Sequence, residues 1–174
     1  MDTRFFYYTM KKLFIYDSNP GKTGKSRSIK AIFHVLKQRM DIGELKFKYD
    51  ILEGSDEFPN KQDLKALIYY KGITIGLESQ GDPNTRLTTS IKEFAGEKKC
   101  DVIICACRTK GKDVREIKYV CSINNYLFMP APHMVIKNQD ESLYDCIAEN
   151  YANGIIATID KWIELYKELS VSFV

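Results

Sequence analysis

The sequence lacks a long apolar run. No stretch approaches the roughly 18 apolar residues a membrane-spanning helix needs. The apolar start of the chain is broken by Lys11 and Lys12, so neither a membrane span nor a signal-peptide shape is expected. Paired cysteines are also missing. Cys100, Cys105, Cys107, Cys121 and Cys146 are five in number and form no C-x-x-C pair. That excludes a zinc ribbon or a disulfide framework and predicts buried free thiols in a reducing, cytoplasmic compartment. There are only two histidines, His34 in a helical run and His133 beside Pro132. Neither belongs to a legible Ser/His/Asp or Cys/His arrangement, so both are poor catalytic candidates. Charge of one sign is scarce as well: 26 basic against 23 acidic residues leave +3, too mild to argue for a nucleic-acid partner.

What is present describes one folded domain spanning 1–174. At 44% hydrophobic and 28% charged, the composition excludes disorder as the main state. A chain of this length buries roughly 70% of its unfolded surface without staples. Strand-like and helix-like segments alternate. Leu13 to Tyr16 is a short apolar run entering the breaker cluster Asp17-Ser18-Asn19-Pro20-Gly21. Ile29, Ile32, Phe33, Leu36 and Met40 then share one helical face. Phe47 to Leu52 reads as a strand, and 53–63 as a loop. Ala66 to Tyr70 and Ile73 to Glu78 are strands joined by a Lys71-Gly72 hairpin. Leu87, Ile91 and Phe94 mark a helix. Val102 to Ala106 is wholly apolar, the kind of strand found inside a parallel sheet. Val114, Ile117, Val120 and Cys121 mark another helix. A last strand is expected within 127–136, preferably at Met134-Val135-Ile136 after the Pro130-Ala131-Pro132 turn. The final helix carries Ile147, Tyr151, Ile155, Ile159, Trp162 and Tyr166 on one face, and its Gly154 suggests a close packing contact.

This alternation predicts an α/β three-layer sandwich with a mostly parallel, five-stranded sheet. Such sheets bind ligands outside the carboxyl ends of their strands. The loops after Tyr16, Glu78 and Cys107 are therefore the places to look for a site.

The first of these reads Asn19-Pro20-Gly21-Lys22-Thr23-Gly24-Lys25-Ser26. Gly24-Lys25-Ser26 supplies the end of the pattern G-x-x-x-x-G-K-[ST], between a strand and a helix. Asn19 stands where the first Gly is expected; Asn tolerates a left-handed backbone, which softens the departure. Over residues 11 to 40 the chain resembles the P-loop NTPase superfamily, including its nucleotide-kinase-like members, with a variant Walker A loop. The resemblance implies that residues 19 to 26 wrap the phosphates of ATP or GTP. Backbone N–H groups would form a nest, Lys25 would reach the β- and γ-phosphates, and Ser26 would ligate Mg²⁺. The bland alternative is a Lys-rich surface turn.

A metal-bound nucleotide also needs a carboxylate. Glu78, at the end of its strand, and Asp82, after Gly81, are the candidates for metal and catalytic roles. Gln80 is a weaker candidate for orienting water. Arg108, at the end of the central apolar strand, and Arg86 could offset phosphoryl charge, with Lys110, Lys112 and Arg115 close by in sequence. The function expected is nucleoside triphosphate binding with Mg²⁺-dependent hydrolysis or phosphoryl transfer to a small acceptor. Two other readings stay open: a flavodoxin-like FMN-binding module, whose phosphate loop also follows the first strand, and a non-catalytic nucleotide-binding or interaction domain. No membrane partner is expected, and a homodimer through the last helix is an alternative to a core role for that helix.

Overall fold

The computed structural model describes residues 11–19, 24–59, 61–82, 84–135 and 141–171. Strand β1 is Lys12–Asp17, followed by helix α1, Lys25–Asp41. Strands β2 (Phe47–Gly54), β3 (Leu64–Tyr70) and β4 (Ile73–Glu78) come next. Helix α2, Leu87–Lys92, runs into a single wide π-turn over Glu93–Glu97. Strand β5 (Val102–Ala106), helix α3 (Lys112–Ile123), strand β6 (Tyr126–Pro130) and helix α4 (Glu141–Val171) complete the order.

The sheet has six strands in the order β2-β3-β4-β5-β1-β6; all six strand-like segments of the sequence enter it, so the expected count of five is one short. β4, β5, β1 and β6 pair in parallel, whereas β2–β3 and β3–β4 are antiparallel. The antiparallel half follows from the hairpin. Lys71 and Gly72 both hold positive φ, 51° and 87°, which matches the right-handed twist of the strands they join. The last strand also differs from expectation. β6 is Tyr126–Pro130, while 131–135 forms no regular structure and Ile136 lies outside the described residues. Pairing across the sheet accounts for the shift: the Tyr126-to-Pro130 segment pairs residue for residue with Lys12 to Tyr16, and the Ala131 N–H closes the ladder on the Tyr16 carbonyl at 2.8 Å.

Alternation along each strand divides the core in two. Leu13 and Ile15 of β1, Ile75 and Leu77 of β4 and Val102 and Ile104 of β5 pack with α1 and α4. Phe14, Ile103 and Cys105 face the other way and pack with α2 and α3. The apolar face of α4 is Ala148, Ala152, Ile155, Ile156, Ile159 and Ile163. It keeps Ile155 and Ile159 of the expected stripe and leaves Tyr166 exposed. Gly154 is exposed, and a Cβ there would meet nothing within 4 Å, so no close contact explains it. Among the described residues no helix is long and apolar enough to cross a membrane.

The sheet is bare at one point for a steric reason. A Cβ on Gly76 in β4 would lie 2.6 Å from the Phe94 ring, and Phe94 is fully buried. The ring therefore rests on the backbone of β4 and holds the π-turn against the sheet. Gly76→Ala is expected to lower stability by about 1–3 kcal/mol through overpacking, read from urea unfolding; a change within about 0.5 kcal/mol would show that Phe94 moves aside at no cost.

Four thiols are sealed in this core. Burial pushes Cys100 and Cys121 up to about 12 and Cys107 up to about 11, and raises Cys105 well above its ordinary value. Cys146 alone is exposed among the five. Iodoacetamide at neutral pH is expected to label the native protein once, at Cys146, because the thiolate is the nucleophile; peptide mapping that found Cys107 labelled at a similar rate would contradict this packing.

Candidate functional site

The connections out of β1 and β5 diverge. From β1 the chain passes through α1 to β2 at the far edge; from β5 it passes through α3, on the other face, to β6. That divergence opens a crevice at the carboxyl ends of two neighbouring strands, the usual ligand position in an open α/β sheet. Asp17 and Cys107 stand at its floor, where the Cys107 N–H donates to the Asp17 carbonyl at 3.1 Å.

Asp17 is fully buried, and its carboxylate organises the start of the loop. Oδ1 accepts from the Asn19 backbone N–H at 3.2 Å and from Asn19 Nδ2 at 3.0 Å. Oδ2 is in close contact with Nδ1 of buried His133. Asn19 Nδ2 also donates to the His133 carbonyl at 2.9 Å. The two amide hydrogens of Asn19 are then both used. The Nδ1–H of His133 is left to donate to Asp17, which fixes the ring. Asn19 does not use the left-handed backbone that its residue type allows. It contributes its side chain instead, joining β1 to the segment after β6.

Pro20, Gly21, Lys22 and Thr23 lie outside the described residues. The chain resumes at Gly24, whose left-handed backbone (φ 84°, ψ 17°) caps α1. This conformation is why glycine stands here. His133 Nε2 and the Tyr144 ring lie 3.9 Å from where a Cβ on Gly24 would sit, so the imidazole packs beside the loop's exit. Lys25 is the first residue of α1 and is 7% exposed. Burial lowers its pKa from the ordinary lysine value, against the opposing pull of Asp17 and Asp82; Arg108 lowers it further. Four groups from three strand ends thus share one electrostatic neighbourhood: Asp17, Lys25, Asp82 and Arg108. Ser26 is half-buried in the same first turn.

The two predicted carboxylates sit in different surroundings. Glu78 is fully buried. Its Oε1 accepts from the Gln80 N–H at 2.9 Å and Arg86 Nη2 at 3.2 Å, and Oε2 from Arg86 Nε at 3.0 Å and Ser90 Oγ at 2.7 Å. These four bonds use the full acceptor capacity of a carboxylate, so Glu78 would have to break one to take a metal directly. Arg86 is committed too, bridging Glu78 and, at 3.0 Å, Glu53. Gln80 Oε1 accepts from the Arg86 N–H at 3.2 Å. Asp82 is open, its side chain 74% exposed, and touches Arg108 Nη2 at 3.5 Å. Of the two acidic and two arginine candidates, Asp82 and Arg108 are the pair brought to Lys25.

His133 was missed at the level of sequence for a definite reason. With the last strand expected at 134–136, the histidine falls before a strand, at the wrong edge of the sheet. With β6 ending at Pro130, it falls just after one, beside β1. Among the described residues there is no group of three or more His, Cys, Asp or Glu side chains arranged to hold a metal ion. Comparison with known proteins finds no matching family model, no matching curated protein and no matching solved structure.

The Asp17–His133 contact is buried on both sides, and removing one partner strands the other. Asp17→Ala and His133→Ala are each expected to cost about 3 kcal/mol, with the double variant costing little more than either alone. Urea titration of the four proteins reads the coupling, and additive losses would mean the two groups do not act together.

Proposed function

We propose that the chain binds a nucleoside triphosphate, ATP or GTP, with Mg²⁺ in a P-loop-like, three-layer α/β domain, and hydrolyses it or transfers its γ-phosphoryl group to a small acceptor. The observation that carries the reading is the placement of Lys25. It is a buried lysine at the first turn of α1, directly after a left-handed glycine, at the carboxyl end of a strand flanked on both sides. The Asp17 and Asp82 carboxylates favour the charged form of this ammonium, which suits it to meet phosphate. An incoming polyphosphate meets the Lys25 charge and the positive end of α1 together.

The roles follow from position. Lys25 and the backbone N–H groups at Gly24 to Ser26 hold the phosphates. Ser26 and exposed Asp82 are the oxygen donors suited to Mg²⁺, a hard cation that keeps most of its waters; the ion supplies neutralisation of phosphate charge when bound. Glu78, saturated by Arg86, Ser90 and Gln80, orients the Ser79–Arg86 loop that carries Asp82. Arg108 is the cation placed to offset charge that develops on the transferred group. Asp17, Asn19 and His133 hold the loop's entrance. A flavodoxin-like FMN site is less well supported, because a flavin phosphate bound by hydroxyls and amides needs no buried lysine at this position.

Binding of ATP with Mg²⁺ is expected to weaken about tenfold or more in Lys25→Ala, measured by calorimetry. A pH arm adds a sign. The unliganded Lys25 has a lowered pKa, so it loses its proton below the ordinary lysine range as pH rises. A bound anion favours the charged form. Affinity should therefore fall as pH rises toward 10.5, and Lys25→Arg, always charged, should show a flatter profile. Equal affinity in Lys25→Ala and wild type would remove the assigned role.

A further inference from the structure

Beside the Lys25 cluster lies a pocket of about 240 Å³ between the loops after β4 and β5, closed by the start of α3. Its walls include Gly81, Asn84, Arg108, Lys110, Lys112 and Asp113. Three cations against one carboxylate give the lining a net charge of +2. Lys110 and Lys112 form no ion pair among the described residues, and Arg108 holds only the 3.5 Å contact to Asp82. The concavity has a steric origin. A Cβ on Gly81 would lie 2.7 Å from the Ala106 backbone and side chain, so glycine lets the loop press onto the end of β5 and leaves the space above it open. Gly111, at φ 128°, turns the chain into α3 in a conformation that other residues rarely adopt.

We propose that this pocket binds the phosphate group of a small phosphomonoester, seated next to the nucleotide site. The charge matches a dianion: Lys110, Lys112 and Arg108 line one cleft, whose walls focus their field. The volume falls below the roughly 300 Å³ at which drug-sized ligand sites begin. A phosphate with a short carbon skeleton fits, and a whole nucleotide does not. Arg108 lines the pocket and also acts on Lys25, so one side chain borders both sites. The inference rests on the nucleotide reading for its assignment as a second-ligand site; the pocket's own affinity for phosphate does not depend on it.

The test is a titration of the ¹⁵N-labelled full chain with glycerol 3-phosphate and, separately, with orthophosphate, followed by amide shifts. Wild type, Lys25→Ala and the exposed double variant Lys110→Glu/Lys112→Glu are compared, with ATP affinity measured in each. Saturable shifts at Gly81, Gly111 and Asp113 are expected, tighter for the ester than for orthophosphate. The affinity should weaken about tenfold or more in the double variant, where two attractive charges become repulsive, and should stay within about twofold in Lys25→Ala. Absence of saturable shifts, equal binding in the double variant, or tighter binding of orthophosphate would each overturn the proposal. If ATP binds in a Lys25-dependent way while the ester does not bind the pocket, only this inference falls. If the ester binds and ATP does not, the nucleotide reading falls and the second-ligand assignment falls with it.

Discussion

A buried carboxylate at the end of an interior strand is the constraint on which the site depends. Asp17 has no access to water, and its cost of burial must be offset inside the protein. The groups that do so come from different parts of the chain: Asn19 two residues on, and His133 from beyond β6. Meeting the needs of one carboxylate thus ties the loop's entrance to the far side of the parallel sheet. His133 in turn stands against Gly24, where the loop leaves. Asn19 and Gly24 thus both lie beside the same small polar cluster, and Lys25 follows Gly24 directly.

A second polar cluster plays the matching part on the other side of the crevice. Glu78 ends β4 and is saturated by Arg86, Ser90 and the Gln80 N–H. Its strength is positional: a bidentate arginine–carboxylate pair fixes orientation as well as distance. Arg86 continues to Glu53 on β2, and Lys65 on β3 joins Glu53 to Glu93 in the π-turn. The antiparallel half of the sheet and the helix that covers it are therefore fastened to the loop carrying Asp82. The Glu78 cluster is buried, while the pair Asp82 and Arg108 is exposed at the surface.

Much of this was legible in the residues themselves. The apolar runs of β1 and β5, the hairpin at Lys71-Gly72, and the faces of α1, α2 and α3 each follow from local pattern or turn chemistry. The Gly24-Lys25-Ser26 placement at a strand-to-helix junction follows from the same reading. What escaped depends on pairing across the fold. The bounds and register of the last strand rest on Tyr126 to Pro130 matching β1, which no local pattern encodes. The choice between Glu78 and Asp82 needs the neighbours that each side chain finds in space. His133 carries no signal in its own flanks, because its partner Asp17 lies 116 residues away. On α4 the expected face holds at Ile155 and Ile159, with Tyr151 and Trp162 packed at its rim, while the buried small residues Ala148 and Ala152 give no sequence signal as strong as the aromatics.

The proposed chemistry is a claim about where a polyphosphate lies. The most direct measurement is a crystal structure of the full chain with Mg²⁺ and a non-hydrolysable triphosphate. The account predicts phosphate oxygens on the backbone N–H groups of Gly24 to Ser26, the Lys25 ammonium between the terminal phosphates, and Arg108 facing the γ-phosphate across the crevice. A triphosphate bound elsewhere, with no phosphate oxygen on Lys25, would contradict it.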